Sequence, residues 1–279
     1  MRLGADLHRA ETDPASWVAR VRELGLSTVI WPLDDGVDDP DRERDFLQAA
    51  TAAGLTIAEV GAWCNATHPD PALRRQKIAR CQERLALADR LGARCCVNVG
   101  GSTGEEWWGP AAADLSEAHF DQIIASVREI VDAVRPTRTV YALETMPWMH
   151  PDSPEAYRRL LQAIDRPGQV GAHLDPSNLI HSPRRLFDNA AFIRHCFDEL
   201  GPWIRSCHAK DVRLHRELTV HLEEVPPGQG EIDYLNFLRC CAALDPETSV
   251  IIEHCQPADL PAAIAAVRQA AATAGADLA

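Results

Sequence analysis

Positive charge is scarce in this chain: 28 Lys and Arg stand against 41 Asp and Glu, a formal net charge of -13 over 279 residues. Such a surface repels a nucleic-acid backbone on average, so the expected partner is a small neutral or locally neutralised molecule and not nucleic acid. Long apolar runs are also missing. None approaches the roughly 20 residues of a membrane span, and Met1-Arg2-Leu3-Gly4 leads straight into strand-like sequence with no apolar signal region. Both absences are read as a cytoplasmic protein with no membrane partner. None of the nine cysteines falls in a C-x-x-C pair. Cys95-Cys96, Cys240-Cys241 and the singletons lie mostly within apolar patterns, which suits buried reduced thiols and not a disulfide framework. No G-x-G-x-x-G turn follows the first strand, which argues against a doubly wound dinucleotide-binding sheet. No Pro/Gly/Ser-rich stretch splits the chain, so residues 1–279 are read as a single domain.

What is present fits an α/β barrel. Hydrophobic residues make up 46% of the chain, enough for a large core, and its length suits an eightfold barrel of about 250 residues. Strand-like runs are expected at Arg2 to His8, Ser27 to Leu33, Leu55 to Trp63 and Arg94 to Val99, followed by four more ending near Glu144, Asp175, His208 and Glu253. Helical patterns alternate with them. They run from Pro14 to Leu24 (opened by Thr12-Asp13-Pro14), Pro40 to Ala53, Pro71 to Leu91, Ser116 to Val134, Pro154 to Ile164, Pro183 to Leu200, Ile232 to Leu244 and Pro257 to about Thr273. Pro in the first turn and Gly just past the end, as at Gly25, Gly54 and Gly92, are ordinary helix punctuation. An acidic loop, Asp34-Asp35-Gly36, follows the second strand. Strict alternation of eight strands with eight helices predicts a parallel (β/α)8 TIM barrel.

The later four strands carry the chemistry. Thr139-Val140-Tyr141-Ala142-Leu143-Glu144, Val170-Gly171-Ala172-His173-Leu174-Asp175, Ile204-Arg205-Ser206-Cys207-His208 and Ser249-Val250-Ile251-Ile252-Glu253 are apolar runs that each stop on a metal-capable side chain. In a parallel barrel every strand delivers its last residue to the same rim. Glu144, Asp175, His208 and Glu253 are therefore candidate ligands of one divalent metal ion. A mixed oxygen and nitrogen donor set suits manganese first, with magnesium, cobalt or zinc as alternatives. Period-two alternation puts Ala142 and Val140 on the face of Glu144, with Tyr141 and Leu143 pointing outward to the helices. His173 sits one layer below Asp175 and is read as a hydrogen-bonded interior histidine.

That ordered quartet, with His208-Ala209-Lys210-Asp211-Val212-Arg213 and Pro227-Gly228-Gln229-Gly230-Glu231-Ile232-Asp233, resembles the xylose-isomerase-like TIM-barrel superfamily. Within it the likeness is to the sugar isomerases and epimerases, a branch that includes ketose 3-epimerases, hydroxypyruvate isomerase and inosose dehydratase. The resemblance implies that Glu144 and Glu253 also serve as acid and base on opposite faces of the substrate carbon. It places a substrate-contacting histidine where this chain has Asn178, and an arginine where it has Arg213. An asparagine can bind a substrate oxygen but cannot relay a proton. The chemistry is coherent without the analogy, because a divalent ion stabilises the enediolate left when a proton next to a carbonyl is removed by a carboxylate.

Lys210, His150 and Trp108 complete the candidate substrate-binding set, with Lys210 and Asp211 alternatively closing a salt bridge at the rim. Trp63, Trp107 and Trp148 are further candidates to wall a sugar pocket. Gly100-Gly101-Ser102-Thr103-Gly104 has no accompanying Lys and is a weak phosphate cradle. The leading expectation is a metal-dependent isomerase or epimerase of a sugar or sugar-derived keto acid, with a homo-oligomer compatible with the sequence. The alternative is a lyase, a dehydratase or decarboxylase, that shares the same first step. A DNA-repair endonuclease on this barrel would by resemblance need three metals and more rim histidines, and a non-catalytic sugar or metal binder would bind without exchanging solvent protons.

Overall fold

The computed structural model describes residues 1–7, 13–33 and 39–279. The end of the first expected strand at His8, Thr12 of the first helix opening and the Asp34-Asp35-Gly36 loop lie outside the described residues. Ten strands occur among them: β1 (Arg2–Ala5), β2 (Thr28–Ile30), β3 (Thr56–Gly61), β4 (Cys95–Asn98), β5 (Tyr141–Glu144), β6 (Val170–Leu174), β7 (Ile204–Ala209), β8 (Asp211–His215), β9 (His221–Val225) and β10 (Ser249–Ile252). Eight of them form one sheet in the order β1-β10-β7-β6-β5-β4-β3-β2. The pairings β1–β10, β10–β7, β3–β4, β4–β5 and β5–β6 are parallel. The end strands β1 and β2 approach each other, with the Ser27 amide donating to the Leu3 carbonyl at 3.0 Å. This is the predicted (β/α)8 barrel.

The helices are α1 (Pro14–Glu23), α2 (Pro40–Ala53), α3 (Pro71–Leu91), α4 (Glu117–Val134), α5 (Pro154–Ile164), α6 (Pro176–Leu179), α7 (Pro183–Phe187), α8 (Asn189–Leu200), α9 (Tyr234–Ala242) and α10 (Leu260–Ala274). Many open the same way. Asp13, Asp39, Asp70, Ser153 and Ser182 accept amide hydrogens of the first turn, and a proline follows each cap. The cap satisfies donors the helix cannot, and proline gives up an amide that has no helical partner there. Ser116 caps α4 as expected. No helix among the described residues is long and apolar enough to cross a membrane.

By contact density the chain divides into two units, one of Met1–Ala58, Ile180–Arg194 and Ser206–Ala279, the other of Glu59–Leu179 and His195–Arg205. In the first unit α9 packs on α10 and α1 on α2, and the β8–β9 hairpin stands outside the eight-stranded order. In the second, α3, α4 and α5 pack in succession. There Cys95, Val97, Val140 and Ala142 form a buried cluster with Trp63 against it. Tyr141 turns the other way: its hydroxyl accepts from Asn98 Nδ2 at 3.0 Å, and that amide also reaches Cys81 of α3 at 3.4 Å. The predicted alternation along β5 is thus observed. No disulfide links any of the nine cysteines, eight of which are buried.

Several predicted boundaries need correction. The single helix expected from Pro183 to Leu200 is two, α7 and α8, because the Asn189 side chain donates to the Leu186 carbonyl at 2.7 Å and competes with helical continuation. The short α6 precedes them, so the described residues hold ten α-helices and not eight. The Ser27 to Leu33 run is regular only over Thr28–Ile30. The Ile232 and Pro257 helix starts move to Tyr234 and Leu260. In the second case a turn comes first, with the Asp259 amide on the Gln256 carbonyl at 2.9 Å. The β8–β9 hairpin has no counterpart among the predicted elements.

Candidate metal centre

In the second unit, Glu144 is the last residue of β5 and Asp175 the first after β6. Thr145 ties these two strand ends together. Its hydroxyl donates to the Asp175 carbonyl at 2.9 Å and accepts the Asp175 amide at 3.0 Å. Beneath it, the buried Tyr157 hydroxyl of α5 accepts the Leu143 and His173 amides at 3.0 and 3.1 Å and faces the Leu143 and Gly171 carbonyls. Asp175 Oδ1 accepts the amides of Ser177 at 2.8 Å and Asn178 at 3.2 Å, which fixes one carboxylate oxygen on the start of α6. The Asn178 side-chain amide donates to Glu144 Oε1 at 3.2 Å and to the Thr145 carbonyl at 3.1 Å. Asn178 thus helps to orient Glu144. One layer down, His173 Nε2 lies 2.9 Å from Glu59 Oε1 with both side chains fully buried, as the strand alternation predicts.

In the first unit, His208 lies in β7 and Glu253 directly follows β10. His208 Nδ1 is 3.0 Å from Glu253 Oε2, and the Lys210 ammonium is 2.8 Å from the same oxygen. Burial by itself would raise the Glu253 carboxyl, but His208, Lys210 and His254 together hold it well below the usual carboxylate range. Lys210 also reaches Glu224 at 3.4 Å, and Glu224 accepts from His254 Nδ1 at 2.8 Å. That hydrogen bond raises the His254 imidazole above its ordinary value.

Asp211 does not close a rim salt bridge. Its carboxylate accepts four amides, from Val212, Gly228, Gly230 and Ile232, at 2.9 to 3.0 Å. A Cβ on Gly230 would stand 2.3 Å from Asp211 Oδ1, so the Gly-Gln-Gly loop can wrap this carboxylate only with glycine there. Burial outweighs those hydrogen bonds and leaves the Asp211 carboxyl raised. Arg213 is anchored on the Gln229 carbonyl at 2.7 and 3.2 Å, with Glu223 at 3.9 Å, so its guanidinium braces the hairpin exit.

One ligand-capable atom from each of Glu144, Asp175, His208 and Glu253 lies within 4.8 Å of all the others. Glu59, His173 and His208 form a second, fully buried group by the same measure. Three carboxylates this close repel one another when ionised, and a divalent cation relieves that repulsion. Three oxygen donors and one imidazole are a donor set that fits such an ion.

The remaining candidates, Trp108 and His150, lie on loops of the second unit. Trp108 is 39% exposed, its ring 5.7 Å from that of Trp148, whose indole donates to the Trp108 carbonyl at 2.8 Å. Trp107 is likewise exposed. His150 is buried edge-on against Phe120, with Asp152 3.5 Å from Nδ1. The glycine-rich loop after β4 is organised from within by Asp114, which is fully buried. It accepts Ser102 Oγ, Thr103 N and Thr103 Oγ1 at 2.7 Å and Ala111 N at 2.9 Å. Burial pushes its carboxyl up, but the bonds from Thr103 and Ser102 prevail and hold it below the ordinary value. Asp114→Asn should cost about 2–4 kcal/mol of stability at neutral pH, because the new amide brings donors where donors already point. A carboxyl lowered by folding stabilises fully above its unfolded value near pH ~4 and ceases to do so as pH falls through the folded value. Urea unfolding of both proteins should therefore show the gap closing below pH ~4.

Sequence reasoning missed Thr145, Tyr157, Glu224 and His254. Of these only His254, adjacent to a ligand candidate, carried a signal that could have flagged it.

A family model described as xylose isomerase-like TIM barrel matches residues 18–273. No curated protein matches the chain significantly in sequence. Among solved structures, the chain is similar to a xylose isomerase-like TIM barrel protein from Mycobacterium smegmatis in complex with magnesium (17% identity, TM-score 0.68, covering 95% of this chain and 90% of that one). It is also similar to D-psicose 3-epimerase with D-tagatose from Clostridium cellulolyticum (16%, 0.70, 97% and 98%). Endonuclease IV from Thermus thermophilus matches at 15% identity and a TM-score of 0.71, over 98% of this chain and all of that one. At these identities the likeness is one of fold.

Proposed function

Because the chain belongs to the xylose isomerase-like TIM barrel family, and because a Glu, an Asp, a His and a Glu converge within 4.8 Å, we propose that it is a divalent-metal-dependent isomerase or epimerase. Its substrate would be a small sugar or sugar-derived keto acid. Glu144, Asp175, His208 and Glu253 would hold the ion, manganese first among the candidates. When bound, that ion supplies a Lewis acid for the negative charge developing on the substrate oxygen.

The residues themselves supply the proton chemistry. Glu144 and Glu253 act on the two faces of the reacting carbon, one removing a proton and the other returning it. Their environments differ as a two-base reaction requires: Asn178, a neutral amide, donates to Glu144, whereas Lys210 and His208 stand against Glu253. The cations beside Glu253 keep it ionised, the form that a general base needs. Asp175, with one oxygen fixed by two amides, serves to orient the site.

The observation that carries this reading is the convergence of the four side chains. The test is a screen of ketoses and keto acids with manganese in deuterium oxide, read by mass spectrometry. Incorporation of one deuteron with otherwise conserved mass is expected. Loss of water or carbon dioxide would identify a lyase instead, and nicking of abasic DNA without exchange into any sugar would overturn the proposal.

A further inference from the structure

We infer that Glu224 is a positioning residue for Glu253: it acts through Lys210 and His254 and sets how tightly the centre holds a divalent cation. This rests on the metal-centre reading above but concerns a residue outside the barrel strands and outside the ligand quartet.

Glu224 lies on β9, the second strand of the hairpin, opposite Val212 in the antiparallel register. Its two carboxylate oxygens face two different donors, His254 Nδ1 at 2.8 Å and the Lys210 ammonium at 3.4 Å. Both donors turn their other side to Glu253: Lys210 at 2.8 Å and His254 Nε2 at 3.6 Å from the same oxygen, Oε2. Two carboxylates thus share two bridging nitrogen groups. The Lys210 side chain is only 3% exposed, so water does little to dissipate its charge. His254 is also held in the left-handed backbone region, at φ 54°. A non-glycine residue adopts that conformation at a cost, and the hydrogen bond to Glu224 helps hold it there.

Charge decides what Glu224 does. Without Glu224, more of the Lys210 charge would fall on Glu253 Oε2 and compete there with a cation. With Glu224 on its far side, the ammonium is shared between two carboxylates and Glu253 keeps the capacity to hold the ion. The hairpin is then a functional insertion: Asp211 anchors its exit loop with four amides, and Glu224 is what that anchoring delivers.

The experiment measures manganese affinity of the full chain by the loss of the free-ion electron paramagnetic resonance signal, with thermal unfolding as a check on folding. Glu224→Gln should weaken manganese binding by about five- to twentyfold. Lys210→Met should tighten it severalfold, because the competitor is gone, and in that background Glu224→Gln should change little, so the Glu224→Gln/Lys210→Met double variant should bind within about twofold of Lys210→Met. A purely structural role for Glu224 would instead cost the same factor in both backgrounds, and that result would overturn the inference. Unchanged affinity in Glu224→Gln, or a loss that the second substitution fails to reverse, would overturn the inference. If Glu224→Gln fails to fold, weaker binding in Lys210→Met would overturn it alone. Absence of manganese binding by the wild-type chain would remove the metal-centre reading itself, a distinguishable failure.

Discussion

Glu253→Gln should stop interconversion of the substrate, with turnover falling by about 10²- to 10⁴-fold, the usual contribution of a positioned acid or base. The variant keeps the size of the side chain and a carbonyl oxygen, but it can no longer accept a proton, and its amide now faces Lys210 and His208, which are also donors. Glu144→Gln should be equally damaging to interconversion, yet the two variants should differ in one respect. If each glutamate serves one face of the reacting carbon, each variant retains slow deuterium exchange into the stereoisomer that the surviving carboxylate addresses. Nuclear magnetic resonance of recovered substrate distinguishes them. Equal exchange into both stereoisomers by both variants would remove the two-base assignment, and unimpaired turnover in either would remove that glutamate from the chemistry.

Removal of divalent metal is the second large effect expected. After dialysis against a chelator, exchange should vanish and return on addition of manganese. Stability should follow. Glu144, Asp175 and Glu253 contribute three carboxylates to one cluster, and a cation that binds only the folded chain stabilises it by mass action. At a concentration about 100 times the dissociation constant this is roughly 2.7 kcal/mol, which for a chain of this size raises the melting temperature by several degrees, at about 2–4 °C per kcal/mol. Calorimetry with and without manganese measures the shift. Full turnover in the chelated protein, or no change in melting temperature, would contradict the account.

Much of this was legible in the amino-acid order, for identifiable reasons. The barrel strands are short apolar runs bounded by proline-opened helices, and the ligand candidates stand at their carboxyl ends, so chain order alone brings Glu144, Asp175, His208 and Glu253 to one rim. Local rules also account for the caps, because Asp13, Asp39, Asp70 and Ser153 act within three residues of themselves. What was not legible depends on contacts distant in sequence. The contact of the Asn178 amide with Glu144 spans 34 positions, and no local pattern announces it. Nor does local sequence show that Arg213 rests on the Gln229 carbonyl, 16 positions on. The hairpin from Asp211 to Val225 escapes a sequence reading because it is half exposed and mixes polar residues into its antiparallel ladder, among them His215 and Glu223, 2.6 Å apart. It therefore lacks the apolar run that marks a barrel strand. Glu224 is hidden for the same reason: nothing near it in sequence points to Lys210 or His254.

Whether four side chains share one divalent ion is tested most directly by anomalous diffraction from crystals soaked in manganese. The account predicts a single strong peak about 2.0–2.3 Å from oxygens of Glu144, Asp175 and Glu253 and a nitrogen of His208. A peak at any other set of residues, or none at saturating manganese, would contradict it.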